Sequence, residues 1–318
     1  MAIVRNVLRI MGLLILIVYA GLVFYAYLPF GENIPVAKLA SADDRFVEVD
    51  GMQLRYREWG KPRADRPTLV FIHGFANSQQ SFRRIAPYLE NNYYVIALDL
   101  PGFGLSSKPV DRDYGNESQA KAVTDMITAL KLDSVVIGGH SLGGALALRV
   151  ALTAPQVRGL ILFNPGIITT GVPAITEYLV FPLPRLAAKT FGERDFRESF
   201  LKGSYLDPGI ITDQVMNELM LGPRSAGYIE GTTALMGYYR PSNEVALLAN
   251  VKVPTLIIWG AQDKRKPPGE AEELHNAIPG SKLIMIENAG HYVHEEKPAE
   301  AAQAIIDARD WWARGNAS

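Results

Sequence analysis

The sequence predicts an α/β domain built on an open, mostly parallel, doubly wound β-sheet with a helical cap insertion, preceded by one N-terminal transmembrane helix. Three observations predict this architecture. Short apolar runs alternate with helical stretches, this alternation stops from about residue 166 to about residue 245, and the chain begins with a long uncharged apolar run. The predicted parts are a membrane anchor (1–30), a linker (31–45), the core (46–165 and 246–318) and a helical cap (166–245).

The order of the elements predicts the sheet. Residues 46–49 and 52–57 alternate in polarity around Asp50-Gly51, which is a hairpin signal. Short apolar runs of the kind that buried parallel strands show then follow at 68–72, 93–98, 134–137, 159–163, 254–259 and 282–286. Helical stretches are predicted at 81–90, 119–130, 142–154, 214–221 and 298–312. A hairpin followed by alternating β and α units indicates a parallel sheet with helices on both faces.

Composition limits the classes of function. The chain has 318 residues, of which 48% are hydrophobic and 20% charged, and this is enough for a packed core. Its formal net charge of -1 gives no reason to expect a nucleic-acid partner. The absence of cysteine excludes disulfides, thiol catalysis and thiolate metal ligands. We expect no cofactor and no metal, and the oligomeric state stays open.

The N-terminal segment predicts a single-pass membrane protein. The 19 residues of Ile10–Leu28 carry no charge, and at about 1.5 Å per residue they span about 28 Å as a helix. Arg5 and Arg9 precede the run, so the positive-inside rule predicts a cytoplasmic N-terminus and a globular domain on the extracytoplasmic side. Two alternatives are secretion after signal cleavage at Val18-Tyr19-Ala20, and a buried core helix.

The segment Gly139-His140-Ser141-Leu142-Gly143 places a serine between two glycines, after an apolar run and before a helical one. Such a turn reverses a strand sharply into a helix, with the serine at its strained apex. Gly139 and Gly143 are needed because a Cβ there would collide with the neighbouring strand and helix. The hydroxyl of Ser141 then lies at a helix N-terminus, where developing negative charge is favoured. This arrangement is typical of a nucleophile.

A serine nucleophile needs a general base at a strand end. His291 follows the last predicted strand and is the predicted base. His294, three residues later, is the rival, and we expect it to support the site or to line the substrate pocket. His73 also follows a strand, but we expect it to shape the turn with Gly74. The remaining two of the five histidines are His140, which lies inside the serine turn, and His275, which lies in a polar helical stretch.

The base needs an orienting acid. Asp263 lies three residues past the strand that ends in Trp259-Gly260 and is the predicted acid. Asn164 follows the strand before the insertion, but an amide cannot act as a carboxylate. Asp99 is the competing strand-end acid, and we expect its side chain to cap the amides of the loop that follows it.

An oxyanion hole requires two backbone N–H groups that point at one place. The sequence predicts one from Leu142, directly after the serine, and one from Phe75, after the His73-Gly74 turn. Gly74 would permit the close approach of that turn. Each such donor lowers the barrier by roughly 2.7–4 kcal/mol.

Taken in order, these motifs resemble the α/β-hydrolase superfamily from Phe46 to Trp312. Trp-Gly-x-x-Asp ending at Asp263 and Gly-His-x-x-x-x-Glu-x-Pro beginning at Gly290 match its acid and base motifs. The resemblance implies a Ser–His–Asp triad and an acyl-enzyme mechanism. Within the superfamily, the anchor, the His-Gly-Phe loop and the small cap look most like the monoacylglycerol lipase and lipid esterase branch.

The expected activity is that of a carboxylesterase or lipase acting on lipid-like esters, such as monoacylglycerols, with the membrane bound through the N-terminal helix. The cap should roof the substrate pocket. Alternatives with the same triad are C–C bond, amide, lactone or thioester hydrolysis, and a further alternative is a non-catalytic binding protein. The residues predicted to line the pocket are Ile168, Phe181, Met216, Met220, Met236 and His294.

Overall fold

An eight-stranded β-sheet forms the centre of the computed structural model, which describes residues 1–170, 176, 180–238, 240 and 242–313. The strand order is β1-β2-β4-β3-β5-β6-β7-β8; β1, β2 and β4 pair antiparallel, and every other pair is parallel. The predicted sheet is therefore confirmed. The strands are β1 Arg45–Val49, β2 Met52–Trp59, β3 Thr68–Ile72, β4 Val95–Leu98, β5 Val135–His140, β6 Val157–Phe163, β7 Thr255–Gly260 and β8 Lys282–Ile286.

Helices cover both faces of the sheet. Consecutive strand residues face opposite sides, so Val70 and Ile72 pack into one apolar cluster while Leu69 and Phe71 pack into another. The helices are α1 Ala2–Tyr27, α2 Val36–Leu39, α3 Ala86–Leu89, α4 Asn116–Ala129, α5 Leu142–Thr153, α6 Leu183–Gly192, α7 Arg194–Lys202, α8 Asp213–Leu219, α9 Leu221–Arg224, α10 Tyr228–Tyr238, α11 Pro268–Ala277, α12 Val293–Glu296, α13 Pro298–Asp307 and α14 Arg309–Ala313, with 3-10 turns at Gln79–Phe82, Pro208–Ile210 and Val245–Asn250.

Two predicted helices are interrupted. The stretch 81–90 is a 3-10 turn followed by α3, because Pro87 lacks an N–H and is tolerated only in the first turn of a helix. The stretch 298–312 is divided into α13 and α14. The break at Ala308 lets the Trp312 ring pack against Gly159 of β6, where a Cβ would lie only 2.4 Å from the ring.

Between β6 and β7 the described residues form helices α6 to α10 and no strand. Part of this segment packs around its own apolar cluster, which also takes in Tyr292 from the loop after β8. The segment is therefore attached to the loop that bears His291 and Tyr292. That residues 166–245 form a separate cap domain stays a prediction.

Helix α1 is the one helix, among the described residues, that is long and apolar enough to cross a membrane. Its last turn contacts α6: Lys189 Nζ donates to the carbonyls of Tyr25 (2.7 Å) and Leu28 (3.0 Å), and Arg185 Nε donates to that of Ala26 (3.0 Å). The last carbonyls of a helix have no hydrogen-bond partner within the helix, so these two cations supply the missing donors at the end of α1.

The segment 31–45, which the sequence predicts to be a linker, makes hydrogen bonds with the rest of the domain. The Ile34 N–H donates to Arg224 O (2.9 Å), and Ile34 O accepts from the Ala226 N–H (2.8 Å), so the chain forms a short bridge with the segment before α10. Further on, buried Asp44 accepts from Arg55 Nε at 2.8 Å. These contacts hold the segment against the rest of the domain at residues 34 and 44.

Candidate active site

Ser141 occupies a strained turn between β5 and α5. Its φ of 52° and ψ of −118° lie outside the regions that residues with a side chain ordinarily adopt. The neighbouring glycines allow the turn: a Cβ on Gly139 would lie 2.0 Å from Gly143 O, and one on Gly143 would lie 2.1 Å from Ile72 O. The fold therefore presents Ser141 at the start of α5, as the glycine spacing predicts.

Asp263 and His291 contact each other at the ends of adjacent strands. His291 Nδ1 and Asp263 Oδ2 are 2.8 Å apart, and both residues are buried. The other oxygen, Oδ1, accepts from the N–H groups of Arg265 (2.7 Å) and Lys266 (3.0 Å). A carboxylate held in this way accepts the Nδ1 proton of a neutral imidazole, which leaves Nε2 with its lone pair.

The two loops that carry this pair are clamped together. A Cβ on Gly260 would lie 2.1 Å from Gly290 O, so only glycine permits this approach. Gln262 N–H donates to Ala289 O at 2.9 Å, and Glu296 Oε1 accepts from the Gly290 N–H at 2.9 Å. Glu296, the glutamate of the Gly-His-x-x-x-x-Glu-x-Pro motif, thus holds the loop that bears His291.

Two positioning residues were missed by the sequence prediction. Asn164, at the end of β6, donates from Nδ2 to Asp263 Oδ2 (2.7 Å) and accepts from the Gly260 N–H through Oδ1 (3.3 Å). His140 Nε2 lies 2.9 Å from His291 O. Burial, with His291 and His294 nearby, holds the pKa of His140 well below its usual value, so this ring stays neutral. The only sequence signal for Asn164 was its place at a strand end.

The His73-Gly74-Phe75 turn packs directly against Ser141. A Cβ on Gly74 would lie 3.2 Å from Ser141 Cβ and 2.8 Å from His140 Nδ1. His73 is fully buried; its Nε2 accepts from the Leu100 N–H at 3.2 Å, and its Nδ1 lies 2.7 Å from Gly74 O. His73 therefore fixes the turn, and the turn brings Gly74 against Ser141.

The competing acid Asp99 has the structural role that the sequence predicts. Its carboxylate accepts from the N–H groups of Gln79 (2.7 Å) and Leu105 (2.8 Å), and it pairs with the buried Arg55 guanidinium at 3.3 Å. Because these partners occupy both oxygens, Asp99 caps the loops beside the site and does not contact His291.

A small cavity of about 30 Å³ lies beneath the helices α6 to α10 and beside the Phe75 turn. Aromatic and aliphatic side chains form most of its wall, and Lys108, Arg197 and Ser78 add polar groups. Of the six residues predicted to line a substrate pocket, Met236 lines this cavity. Its volume is far below the several hundred cubic ångströms that a drug-sized ligand needs.

The other five residues predicted to line the substrate pocket do not line this cavity. Met216 and Met220 pack in the cluster between α7, α8 and Tyr292, and Ile168 packs against the main core. Phe181 is 52% exposed, and its ring lies 6.1 Å from that of Tyr27 at the end of α1. In each case apolar side chains of the fold surround or adjoin the residue.

His294, the fifth, lies in the interior and not at the cavity. It is fully buried, its Nε2 is 2.9 Å from Ser81 Oγ, and its ring lies against Phe82 and His140. Burial, with the nearby His291 and Arg83, lowers its pKa to about 3. His294 therefore packs as a neutral ring.

Within the described ranges, no group of three or more histidine, aspartate or glutamate side chains is placed so that it could hold a metal ion. The chemistry that the site offers is that of a strained serine, an imidazole–carboxylate pair and backbone N–H groups.

Comparison with known proteins identifies the family. Residues 67–298 match the family described as alpha/beta hydrolase fold. The chain is 30% identical over 265 residues to the uncharacterized hydrolase YugF of Bacillus subtilis, covering 83% of this chain and 96% of that protein. It is 29% identical over 261 residues to Lipase 1 of Psychrobacter immobilis, covering 80% of each. The solved structure of a membrane phospholipase A, described as a bacterial virulence factor, superimposes with a TM-score of 0.69 at 25% identity, covering 94% of this chain and 96% of that one. The chain belongs to the alpha/beta hydrolase fold family and is a hydrolase.

Proposed function

We propose that this hydrolase is a membrane-anchored serine esterase that cleaves lipid-like carboxylic esters, in the manner of monoacylglycerol lipases, through Ser141, His291 and Asp263. One observation carries the proposal: a serine in a strained turn at one strand end, with an imidazole–carboxylate pair at 2.8 Å on two neighbouring loops. A strained backbone conformation of this kind is kept at functional sites because contacts with the surrounding structure hold it in place.

In the proposed mechanism, Ser141 Oγ attacks the ester carbonyl carbon while His291 Nε2 takes the hydroxyl proton. Asp263 holds the imidazole through Nδ1 and stabilises the imidazolium that forms. The C–O bond of the tetrahedral intermediate then breaks, and His291 gives its proton to the departing alcohol. Water attacks the acyl-enzyme with His291 again as base, which releases the acid and restores Ser141.

The proposed oxyanion hole consists of the backbone N–H groups of Leu142 and Phe75. Leu142 begins α5, so its amide adds to the partial positive charge at the helix N-terminus. The close contact of Gly74 with Ser141 supports the assignment of Phe75, because it brings the next amide beside the reacting carbonyl.

Two observations support the membrane and lipid part of the proposal. α1 is apolar and exposed along nearly all of its length, and its end is fixed to the roof of the candidate site by Arg185 and Lys189. Relatives of this chain include proteins named lipases and a membrane phospholipase A. We propose a cytoplasmic N-terminus and an extracytoplasmic catalytic domain; the alternative is secretion after signal cleavage. Sequencing the N-terminus of the protein in membrane and medium fractions distinguishes the two.

The test is labelling by a fluorophosphonate probe, together with ester hydrolysis by the detergent-solubilised full chain. Ser141→Ala should abolish both, whereas Ser199→Ala, an exposed serine on α7, should abolish neither. Undiminished hydrolysis by Ser141→Ala would overturn the proposal. A series of acylglycerols and aryl esters, set beside diketone, amide, lactone and thioester substrates, separates esterase activity from the alternatives that use the same three residues.

A further inference from the structure

The cavity beside the Phe75 turn contains two cations and no acid. Lys108 and Arg197 both line it, while no aspartate or glutamate is among its lining residues in the described part of the chain. Buried cations are normally paired with an anion, because removing a charge from water is costly. An apolar acyl chain would leave both of these cations unpaired.

Lys108 approaches the cavity from the loop after β4. Its Nζ donates to the carbonyls of Gly104 (2.8 Å) and Ser106 (3.0 Å), which are neutral partners, and the group forms no ion pair in the described structure. Asp99 lies close enough to influence it, but that carboxylate is already bonded to Arg55 and to backbone amides. Burial lowers the pKa of Lys108 to about 8.

Arg197 reaches the cavity from α7 on the opposite side. Its Nη1 donates to Ala76 O at 2.7 Å and its Nε to Phe191 O at 2.9 Å, and the residue is 6% exposed. It too forms no ion pair in the described structure. Ser78, which is 3% exposed, lines the same cavity, and its Oγ has no hydrogen-bond partner among the described residues. Three groups that can donate to an anion thus converge on one space.

We propose that this cavity receives an anionic group of the substrate, a carboxylate or a phosphate, so that the enzyme favours esters carrying such a group over neutral esters of equal length. The inference rests on the proposed esterase function. The cavity includes Phe75 and Ala76 in its wall, so it adjoins the residue proposed for the oxyanion hole, and an anionic group of the substrate could be bound beside the reacting ester. Hydrogen bonds between charged partners are about twice as strong as neutral ones.

The experiment compares kcat/KM for two matched pairs of substrates. One pair is the mono-4-nitrophenyl ester of octanedioic acid and 4-nitrophenyl octanoate; the other is a 1-acylglycerol 3-phosphate and its 1-acylglycerol. We expect the wild-type chain to favour the anionic member of at least one pair by roughly 10- to 100-fold. The pair that shows the preference identifies the anion as carboxylate or phosphate.

Lys108→Met should reduce that ratio several-fold, and Lys108→Arg should retain most of it. The control is Lys61→Met, an exposed lysine outside the cavity. The readout is the ratio of kcat/KM for the anionic substrate to kcat/KM for the neutral one, measured on one preparation. Partial misfolding lowers both values equally and leaves this ratio unchanged. If wild-type enzyme prefers the neutral member of both pairs, or if Lys108→Met leaves the ratio unchanged, the inference is overturned. Ester hydrolysis that survives Ser141→Ala would instead overturn the proposed function.

Discussion

At the scale of single residues, Asn164 is the side chain that holds the carboxylate of the proposed triad. It donates to the same oxygen of Asp263 that accepts from His291, and it also binds the backbone of Gly260. We predict that Asn164→Ala lowers kcat by roughly 10- to 100-fold, because a hydrogen bond to a charged group contributes about 1.5–3 kcal/mol. KM should change little, since Asn164 is buried and does not line the cavity.

Steady-state kinetics with a soluble ester measures this effect, with Asn91→Ala, an exposed asparagine, as the control. Thermal unfolding of both variants shows whether the protein stays folded at the assay temperature. An unchanged kcat in folded Asn164→Ala would contradict the positioning role.

The difference between Ser141 and Asn164 shows which residue roles a sequence can predict. The role proposed for Ser141 depends on glycines two positions away, so a local pattern indicates it. Asp263 and His291 could be predicted as strand-end residues because parallel strands bring their carboxyl ends to one edge. Asn164 and His140 act on those partners across 99 and 151 positions of the chain, respectively. Which side chains meet at such separations depends on strand order and loop shape, which no local pattern encodes.

At the scale of secondary structure, the strands were predictable and the segment after α1 was not. Short apolar runs between turns mark β3 to β7 because strands that are buried on both faces need apolar side chains at every position. The run of β8 is also mostly apolar, although β8 is a largely exposed edge strand. The segment 31–45 is polar and contains glycine and proline, which predicts a linker. Its attachment comes instead from contacts of Ile34 with Ala226 and of Asp44 with Arg55. Polar composition alone does not distinguish a segment that packs from one that does not.

The junction of α1 with α6 gives a prediction at the same scale. Lys189 Nζ donates to two carbonyls at the end of α1, and its charge also lies 4.5 Å from the Tyr25 ring centroid. We predict that Lys189→Met loosens the last turn of α1, so that amide hydrogens of residues 25–30 exchange faster by roughly 5- to 30-fold, given about 1 kcal/mol for each of the one or two net hydrogen bonds lost. Hydrogen–deuterium exchange of the full chain in detergent measures this change.

Lys202→Met is the matched control for the Lys189 variant, because Lys202 is also a lysine of the roofing helices but pairs with Glu198 on its own helix. Exchange in residues 25–30 should be the same as in wild type for this variant. Equal exchange in the Lys189→Met and wild-type proteins would show that the end of α1 is held by its other contacts.

At the scale of the whole molecule, three buried histidines make stability depend on pH. Burial lowers the pKa of His73 and His140 below the ordinary value of 6.5, and lowers that of His294 to about 3. As the pH falls below 6.5, the unfolded chain binds protons that the folded chain does not, so the free energy of unfolding decreases. For His294 this loss continues down to about pH 3 and amounts to about 1.4 kcal/mol for each pH unit.

We therefore predict that the unfolding free energy is greatest near neutral pH and falls as the solution is acidified from pH 6.5. In the His294→Gln variant a hydrogen-bonding group stays near Ser81, but the glutamine side chain does not titrate. The free energy of unfolding of this variant should therefore depend less steeply on pH, even if it is lower than that of wild type at pH 7. His275→Gln, on the partly exposed α11, serves as the control for a general histidine effect. Denaturant unfolding at pH 7, 6, 5 and 4 measures the slopes. Equal slopes for His294→Gln and wild type would mean that His294 binds its proton as readily in the folded protein as in the unfolded chain, contrary to its buried position against Phe82 and His140.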